Sequence, residues 1–273
     1  MNGSSLTLSN GVQTRFRDTG GGGTPVVLVH GLANSLEIWD RVAPALGKRF
    51  RLIAFDLPGF GEADRPNAAY DSAFFSDQLL ALLDTLGLER AHLVGSSLGA
   101  SIIIRFAANH LERVDRAVLA APGGFGRRTH PLMRLPALPL VGSWLGRPSP
   151  SNNALTLRLA MHDRHHITAE LLELTNAHAR IAGSERSFVR TLQAGVGLLG
   201  SKHRADVAAD AARLERPTLL LWGKQDRVFP ARNAPRAAAL LPQARLKLID
   251  RCGHYPHWEQ PDIFAAAVLD FLA

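Results

Sequence analysis

Three side chains of this 273-residue chain have the types and chain order needed to activate a hydroxyl group: Ser97, Asp226 and His254. Ser97 is the middle residue of Gly95-Ser96-Ser97-Leu98-Gly99. An apolar run, Ala91 to Val94, precedes that stretch, and an amphipathic run, Ile102 to Asn109, follows it. Strand, sharp turn, helix is the order that lifts a serine hydroxyl above a sheet edge. Glycine at 95 and 99 suits such a turn, because a side chain there would strike the adjacent strand or helix. The Leu98 N–H would lie at a helix N-terminus, facing developing negative charge. A serine hydroxyl is a poor nucleophile at neutral pH. It needs an imidazole to take its proton and a carboxylate to hold that imidazole in the right tautomer. The runs Thr218 to Trp222 and Ala244 to Asp250 read as strands. They lead into Gly223-Lys224-Gln225-Asp226 and Arg251-Cys252-Gly253-His254, so both partners follow strand ends. Asp56, Asp84 and Asp250 are rival carboxylates, and His257 is a rival imidazole three residues beyond His254.

The elements that must position these groups alternate between strand and helix. Asn10-Gly11 between two alternating segments signals an N-terminal hairpin. Pro25 to Val29 is apolar throughout, as a strand buried on both faces should be. Ser35 to Leu46 reads as a helix with Ser35 as N-cap, Phe50 to Phe55 as a strand, and Asp71 to Leu86 as a helix stopped by Gly87. Arg116 to Ala121 is a further strand, and Ala231 to Leu241 and Pro261 to Leu272 are helices. Together these runs predict an α/β chain with a parallel sheet covered on both faces. Residues 125–213 break the alternation: prolines punctuate the first third, and helical stretches without a buried strand follow. The expected organisation is a core of residues 1–124 and 214–273, with 125–213 inserted as a helical cap over the site.

Hydrophobic content of 46% and charged content of 20% are those of an ordinary globular protein. The net charge of +7 raises nucleic acid as a partner, but the basic residues are scattered and not interleaved with aromatics, so no nucleic-acid partner is expected. Cys252 is the single cysteine, which excludes an intrachain disulfide. No secretory leader is visible and no apolar run reaches membrane-spanning length, so a cytoplasmic protein without stable membrane association is expected. His162, His165 and His166 lack a second cluster to complete a metal site and read as surface or lid residues.

Five motifs, in order, resemble the α/β-hydrolase fold superfamily: His30-Gly31, Asp56-Leu57-Pro58-Gly59-Phe60-Gly61, Gly95-Ser96-Ser97-Leu98-Gly99, Trp222-Gly223-Lys224-Gln225-Asp226 and Cys252-Gly253-His254. The resemblance covers nearly the whole chain. It implies a mostly parallel eight-stranded sheet with a helical cap, Ser97 as nucleophile, His254 as base and Asp226 as its orienting acid. It also implies an oxyanion hole built from the Leu32 and Leu98 backbone N–H groups, no cofactor, and a small-molecule ester or related carbonyl compound as substrate. His30 and the Asp56–Gly61 turn are read as structural. Serine at 97 separates the chain from the branches with an aspartate nucleophile, the haloalkane dehalogenases and epoxide hydrolases. Two readings of the reaction stand close. The favoured one is a carboxylesterase working through an acyl-enzyme. The alternative is a carbon–carbon hydrolase of vinylogous diketone ring-cleavage products, because Cys252-Gly253-His254-Tyr255-Pro256-His257-Trp258-Glu259 is similar to that group. Ser96, where that group usually has asparagine, and Asn176, near the place of its cap arginine with Arg180 displaced, are departures from it. Asn34, Ser96 and Trp258 are the candidate pocket residues. A non-catalytic ligand receptor on the same fold is a third, weaker reading.

Overall fold

The computed structural model describes residues 3–126, 149–197 and 200–273. Eight strands form one sheet: β1 (Ser4–Thr7), β2 (Gln13–Asp18), β3 (Pro25–Val29), β4 (Arg51–Phe55), β5 (Ala91–Ser96), β6 (Val114–Ala120), β9 (Thr218–Gly223) and β10 (Ala244–Ile249). Their order is β1-β2-β4-β3-β5-β6-β9-β10. The β1–β2 and β2–β4 pairs are antiparallel, and every other pair is parallel. The mostly parallel sheet expected from the sequence is therefore present, with all eight strands at the expected places. Strand β5 lies centrally between β3 and β6, with Val29 opposite Gly95 and Ser96 opposite Ala120.

The apolar strands are buried on both faces because helices cover both. On one face Val27, Val29, Ala91 and Leu93 join a core with α2 (Ser72–Thr85) and α3 (Leu98–Asn109). On the other, Val26, Leu28 and Val94 pack with α1 (Ala43–Leu46) and the C-terminal helix, Pro261–Leu272. Helix α2 begins where its sequence suggests: the Asp71 carboxylate accepts from the Phe74 N–H at 2.8 Å. Residues 35–46 differ from expectation. They form a 3-10 turn, Leu36–Trp39, and then α1, with Pro44 near the start of α1 lacking the N–H that would continue a single helix. Nor does Ser35 cap it; its hydroxyl donates to Glu37, and the Leu36 N–H is taken by Asp56 Oδ1 at 2.9 Å.

Between β6 and β9 the described residues carry α4 (Pro150–Ala160), α5 (Ala169–Ala179), α6 (Ser184–Gly195), a two-stranded hairpin of β7 (Val196–Gly197) and β8 (Gly200–Ser201), and α7 (Arg204–Arg213). The hairpin has no counterpart in the sequence reading. Two-residue strands are too short to show a periodicity. Helix α7 packs along α3, where Arg105 bonds Asp210 at 3.1 Å and Ala211 joins the central core. Farther out, Arg65 donates to Ser184 at 2.9 Å and Arg190 to Asn67 at 2.7 Å, tying α6 to the loop after β4. Helix α8 (Ala234–Leu240) links β9 to β10, and α9 (Pro256–Glu259) precedes the C-terminal helix α10. Among the described residues no helix is long and apolar enough to cross a membrane.

Candidate active site

Ser97 sits between β5 and α3 with φ of 54° and ψ of −113°. Positive φ is strained for a residue with a Cβ, and it persists only where the surroundings enforce it. Here they do. A Cβ at Gly95 would lie 2.6 Å from the Gly99 carbonyl carbon, and one at Gly99 would lie 2.1 Å from the Val29 oxygen. The Ser97 N–H donates to Ala120 O at 2.8 Å, which anchors the turn to β6.

The three groups singled out by the sequence meet at this turn. Ser97 Oγ lies 2.9 Å from His254 Nε2, and His254 Nδ1 lies 2.8 Å from Asp226 Oδ2. The carboxylate can only accept, so Nδ1 keeps its proton and donates it in a hydrogen bond to Asp226, which leaves Nε2 to accept from the Ser97 hydroxyl. Asp226 Oδ1 is occupied separately by the Val228 and Phe229 N–H groups, each at 2.8 Å. The Asp226 and His254 side chains are only 0% and 4% exposed, so their interaction is little screened. The rival carboxylates are engaged elsewhere: Asp84 with Arg113 at 2.7 Å, Asp250 with Lys224 at 2.8 Å, and Asp56 with Arg15 at 2.9 Å.

The loops carrying these residues are packed backbone to backbone. A Cβ at Gly223 would fall 2.0 Å from the Gly253 oxygen, so the end of β9 lies directly against the histidine loop. Gln225 N–H donates to Cys252 O at 2.9 Å, and Cys252 N–H returns a bond to Gln225 Oε1 at 3.0 Å. The Phe229 and Tyr255 rings flank the His254 ring at centroid distances of 5.2 and 5.4 Å. Burial pushes the Cys252 thiol well above its ordinary range, which leaves it an inert packing residue.

The loop after β3 passes over Ser97. A Cβ on Gly31 would be 3.3 Å from Ser97 Cβ. Beneath this loop, buried His30 accepts from the Leu57 N–H through Nε2 at 2.9 Å, so its Nδ1 carries the proton donated to Gly31 O at 2.8 Å. Desolvation lowers the His30 pKa and favours this neutral form. Asp56 holds the same loop from behind through Leu36, and a Cβ at Gly61 would fall 2.2 Å from its carboxyl carbon. The Leu32 and Leu98 N–H groups, at the loop and at the start of α3, have no acceptor among the described residues.

The candidate pocket residues have distinct surroundings. Asn34 Nδ2 donates to Tyr255 OH at 3.2 Å. Ser96 Oγ is buried and has no hydrogen-bond partner among the described residues. Trp258 Nε1 donates to His166 O at 2.9 Å, while the Arg41 guanidinium lies 4.1 Å over its ring, so the indole holds the 164–166 turn. Asn176 is bonded by Asn153 at 2.8 Å, and Arg180 is exposed at the end of α5. Sequence reasoning missed Glu259 and Phe229. Phe229 offered no signal beyond being aromatic, and Glu259 none that sets it apart from a surface acid; its burial shows only in the fold.

His257, the rival imidazole, is fully buried against Trp39 at 4.5 Å, with neither ring nitrogen hydrogen-bonded to any described residue. Desolvation lowers its pKa to about 3. The unfolded chain therefore binds a proton that the folded chain refuses, so stability falls as pH drops below the ordinary histidine range and continues to fall until about pH 3. The slope is about 1.4 kcal/mol per pH unit for one such group. His257→Phe should remove this component without costing a hydrogen bond. Acid titration followed by circular dichroism should show a lower unfolding midpoint for the variant; an unchanged midpoint would rule the account out.

An alpha/beta hydrolase fold family model matches residues 24–261. The chain is 31% identical to a 2-hydroxy-6-oxononadienedioate/2-hydroxy-6-oxononatrienedioate hydrolase of Cupriavidus pinatubonensis, with 98% of this chain and 94% of that protein covered. It is 30% identical to a 2-hydroxy-6-oxo-6-phenylhexa-2,4-dienoate hydrolase of Burkholderia cepacia, covering 98% and 95%. Among solved structures, a meta-cleavage product hydrolase from Pseudomonas fluorescens IP01 matches with a TM-score of 0.83 and 32% identity, covering 99% and 97%. These relatives overturn the expectation of a carboxylesterase: their names support the carbon–carbon alternative. The octapeptide from Cys252 to Glu259 agrees with these relatives, and serine in place of asparagine at position 96 does not set the chain apart from them. The chain belongs to the alpha/beta hydrolase fold family and is a hydrolase.

Proposed function

We propose that this protein hydrolyses the carbon–carbon bond beside the ketone of a 2-hydroxy-6-oxo-dienoate, with Ser97 as nucleophile, His254 as acid and base, and Asp226 as the group that orients His254. The near full-length relatives named for such dienoates carry this reading. The 2.9 Å contact between Ser97 and His254 supports the chemistry. In its keto form the substrate presents a C6 ketone next to a methylene that is conjugated, through C3=C4, to the C2 keto group. Ser97 Oγ attacks C6 as its proton passes to His254 Nε2. The C6 oxyanion lies against the Leu32 and Leu98 N–H groups. Collapse of the tetrahedral intermediate breaks C5–C6. The electron pair enters the C2 keto group as a dienolate, and the His254 imidazolium returns a proton. Water, deprotonated by His254, then releases the acid from the Ser97 ester.

In this reading residues 1–124 and 214–273 are the catalytic core, and the described part of the insertion, 149–197 and 200–213, lies over the site; residues 127–148 and 198–199 of the expected cap lie outside the described residues. The bond from the His254 N–H to Ala160 O at 2.6 Å supports that closeness. Asn34 and the Ser96 hydroxyl face the substrate, and Trp258 shapes the pocket by holding the 164–166 turn. The test is turnover of 2-hydroxy-6-oxo-6-phenylhexa-2,4-dienoate and of the nonadienedioate, followed by loss of the dienol chromophore, beside a p-nitrophenyl ester series. At least one dienoate should reach a kcat/KM of about 10⁴ M⁻¹s⁻¹ or more and exceed every ester. Preference for an ester would reject the proposal.

A further inference from the structure

The catalytic-histidine loop is held by a carboxylate that takes no part in the relay between Ser97, His254 and Asp226. Glu259, in α9, is 2% exposed. Its Oε1 accepts from the Gly253 N–H at 2.9 Å, and its Oε2 accepts from the His162 N–H at 2.6 Å. Gly253 immediately precedes His254, and His162 follows the end of α4. A third bond closes the ring, from the His254 N–H to Ala160 O at 2.6 Å. The packing leaves no room for another arrangement: a Cβ at Gly253 would lie 2.4 Å from Ala160 O, 2.7 Å from His162 N and 2.8 Å from Glu259 Oε1. No described cation lies within ion-pair distance of Glu259.

A buried carboxylate without a cation is costly unless peptide N–H groups satisfy it. The N–H groups of His162, Gly253, Asp163 and Tyr255 favour the ionised form here, yet burial dominates and the pKa is raised. A plain packing role would be better served by an apolar residue. What the carboxylate does, and an apolar side chain cannot, is join two peptide groups from separate segments at fixed separation. One segment carries the base. The other is the stretch from Ala160 to His162, after α4.

We propose that Glu259 is a positioning residue that locks the His254 loop to the 160–162 segment, so that the base keeps its line to Ser97 only while that segment is docked. A displacement of about 1 Å in a reacting group can cost about 10²-fold in rate. The inference rests on the Ser97–His254 pair and not on the identity of the substrate.

Labelling of Ser97 by a fluorophosphonate tests it, because that reaction reads the serine–histidine pair without any carbon–carbon chemistry. Glu259→Gln keeps the volume but turns an amide NH₂ toward one of the two N–H donors. Its labelling rate should fall by about 10- to 100-fold, in parallel with kcat. The Kd of an inert dienoate, measured with Ser97→Ala in both backgrounds, should change less than about threefold. A folded Glu259→Gln protein that labels at the wild-type rate would overturn the proposal. Labelling that persists in Ser97→Ala would instead reject the nucleophile, a separate failure. If Glu259→Gln does not fold, amide exchange in the wild-type protein decides. Gly253 and His162 should both exchange at least about 10³-fold slower than free peptide; unprotected exchange at either would overturn the lock.

Discussion

Ser97→Ala should lower kcat by at least about 10⁴-fold while dienoate binding stays within a few-fold of wild type. The substitution removes one oxygen and leaves the turn intact. Its φ of 54° is imposed by Gly95, Gly99 and the Ala120 bond, not by the side chain, and alanine bears the same strain as serine. His254 then keeps its bond to Asp226 and loses only its partner at 2.9 Å. Stopped-flow spectroscopy of the dienol chromophore measures both quantities, binding in the first phase and cleavage in the second. Thermal unfolding within about 3 °C of wild type would exclude collapse of the turn. Residual turnover above about 1% would mean that His254 activates water directly against the ketone, and that the covalent step belongs elsewhere.

The fold was legible because its strands are short, apolar and punctuated. Val26 to Val29 is buried on both faces and reads so from its composition alone. The site was legible for a related reason. Strands of a parallel sheet end on the same side, so Ser97, Asp226 and His254, each just past a strand, had to converge. What was not legible depends on contacts between distant segments. Asp56, and not a local cap, takes the Leu36 N–H at the start of the 36–39 turn, because the loop after β4 folds back under residues 31–36. Glu259 is a surface-type residue by composition and becomes a buried clamp only through Gly253 and His162. Substrate choice was the least legible feature. An ester and a vinylogous ketone make the same demands on nucleophile, base and oxyanion donors. Ser97, His254 and Asp226 therefore do not separate the two, and the Cys252–Glu259 octapeptide is the stretch of sequence that bears on the choice.

Asp226→Asn should cost about 10⁴-fold in kcat, by forcing the wrong tautomer on His254 rather than by loss of charge alone. The geometry decides which way the new amide points. Oδ1 of Asp226 accepts two backbone N–H groups, from Val228 and Phe229, both at 2.8 Å. An amide NH₂ cannot accept them, so the asparagine oxygen must take that position. The NH₂ group then faces His254 Nδ1, which becomes an acceptor and gives up its proton to Nε2. A protonated Nε2 donates to Ser97 Oγ instead of accepting from it, and the hydroxyl cannot be activated. The side chains at 226 and 254 are buried, so water is poorly placed to relieve the mismatch. Fluorophosphonate labelling should fall with kcat, while the Kd for the dienoate changes little. NMR of the imidazole nitrogens should show protonated Nδ1 in the wild type and protonated Nε2 in the variant at the same pH. Wild-type tautomer with lost activity would shift the role of Asp226 to stabilising the imidazolium. Retention of more than about a tenth of kcat would remove Asp226 from the relay altogether.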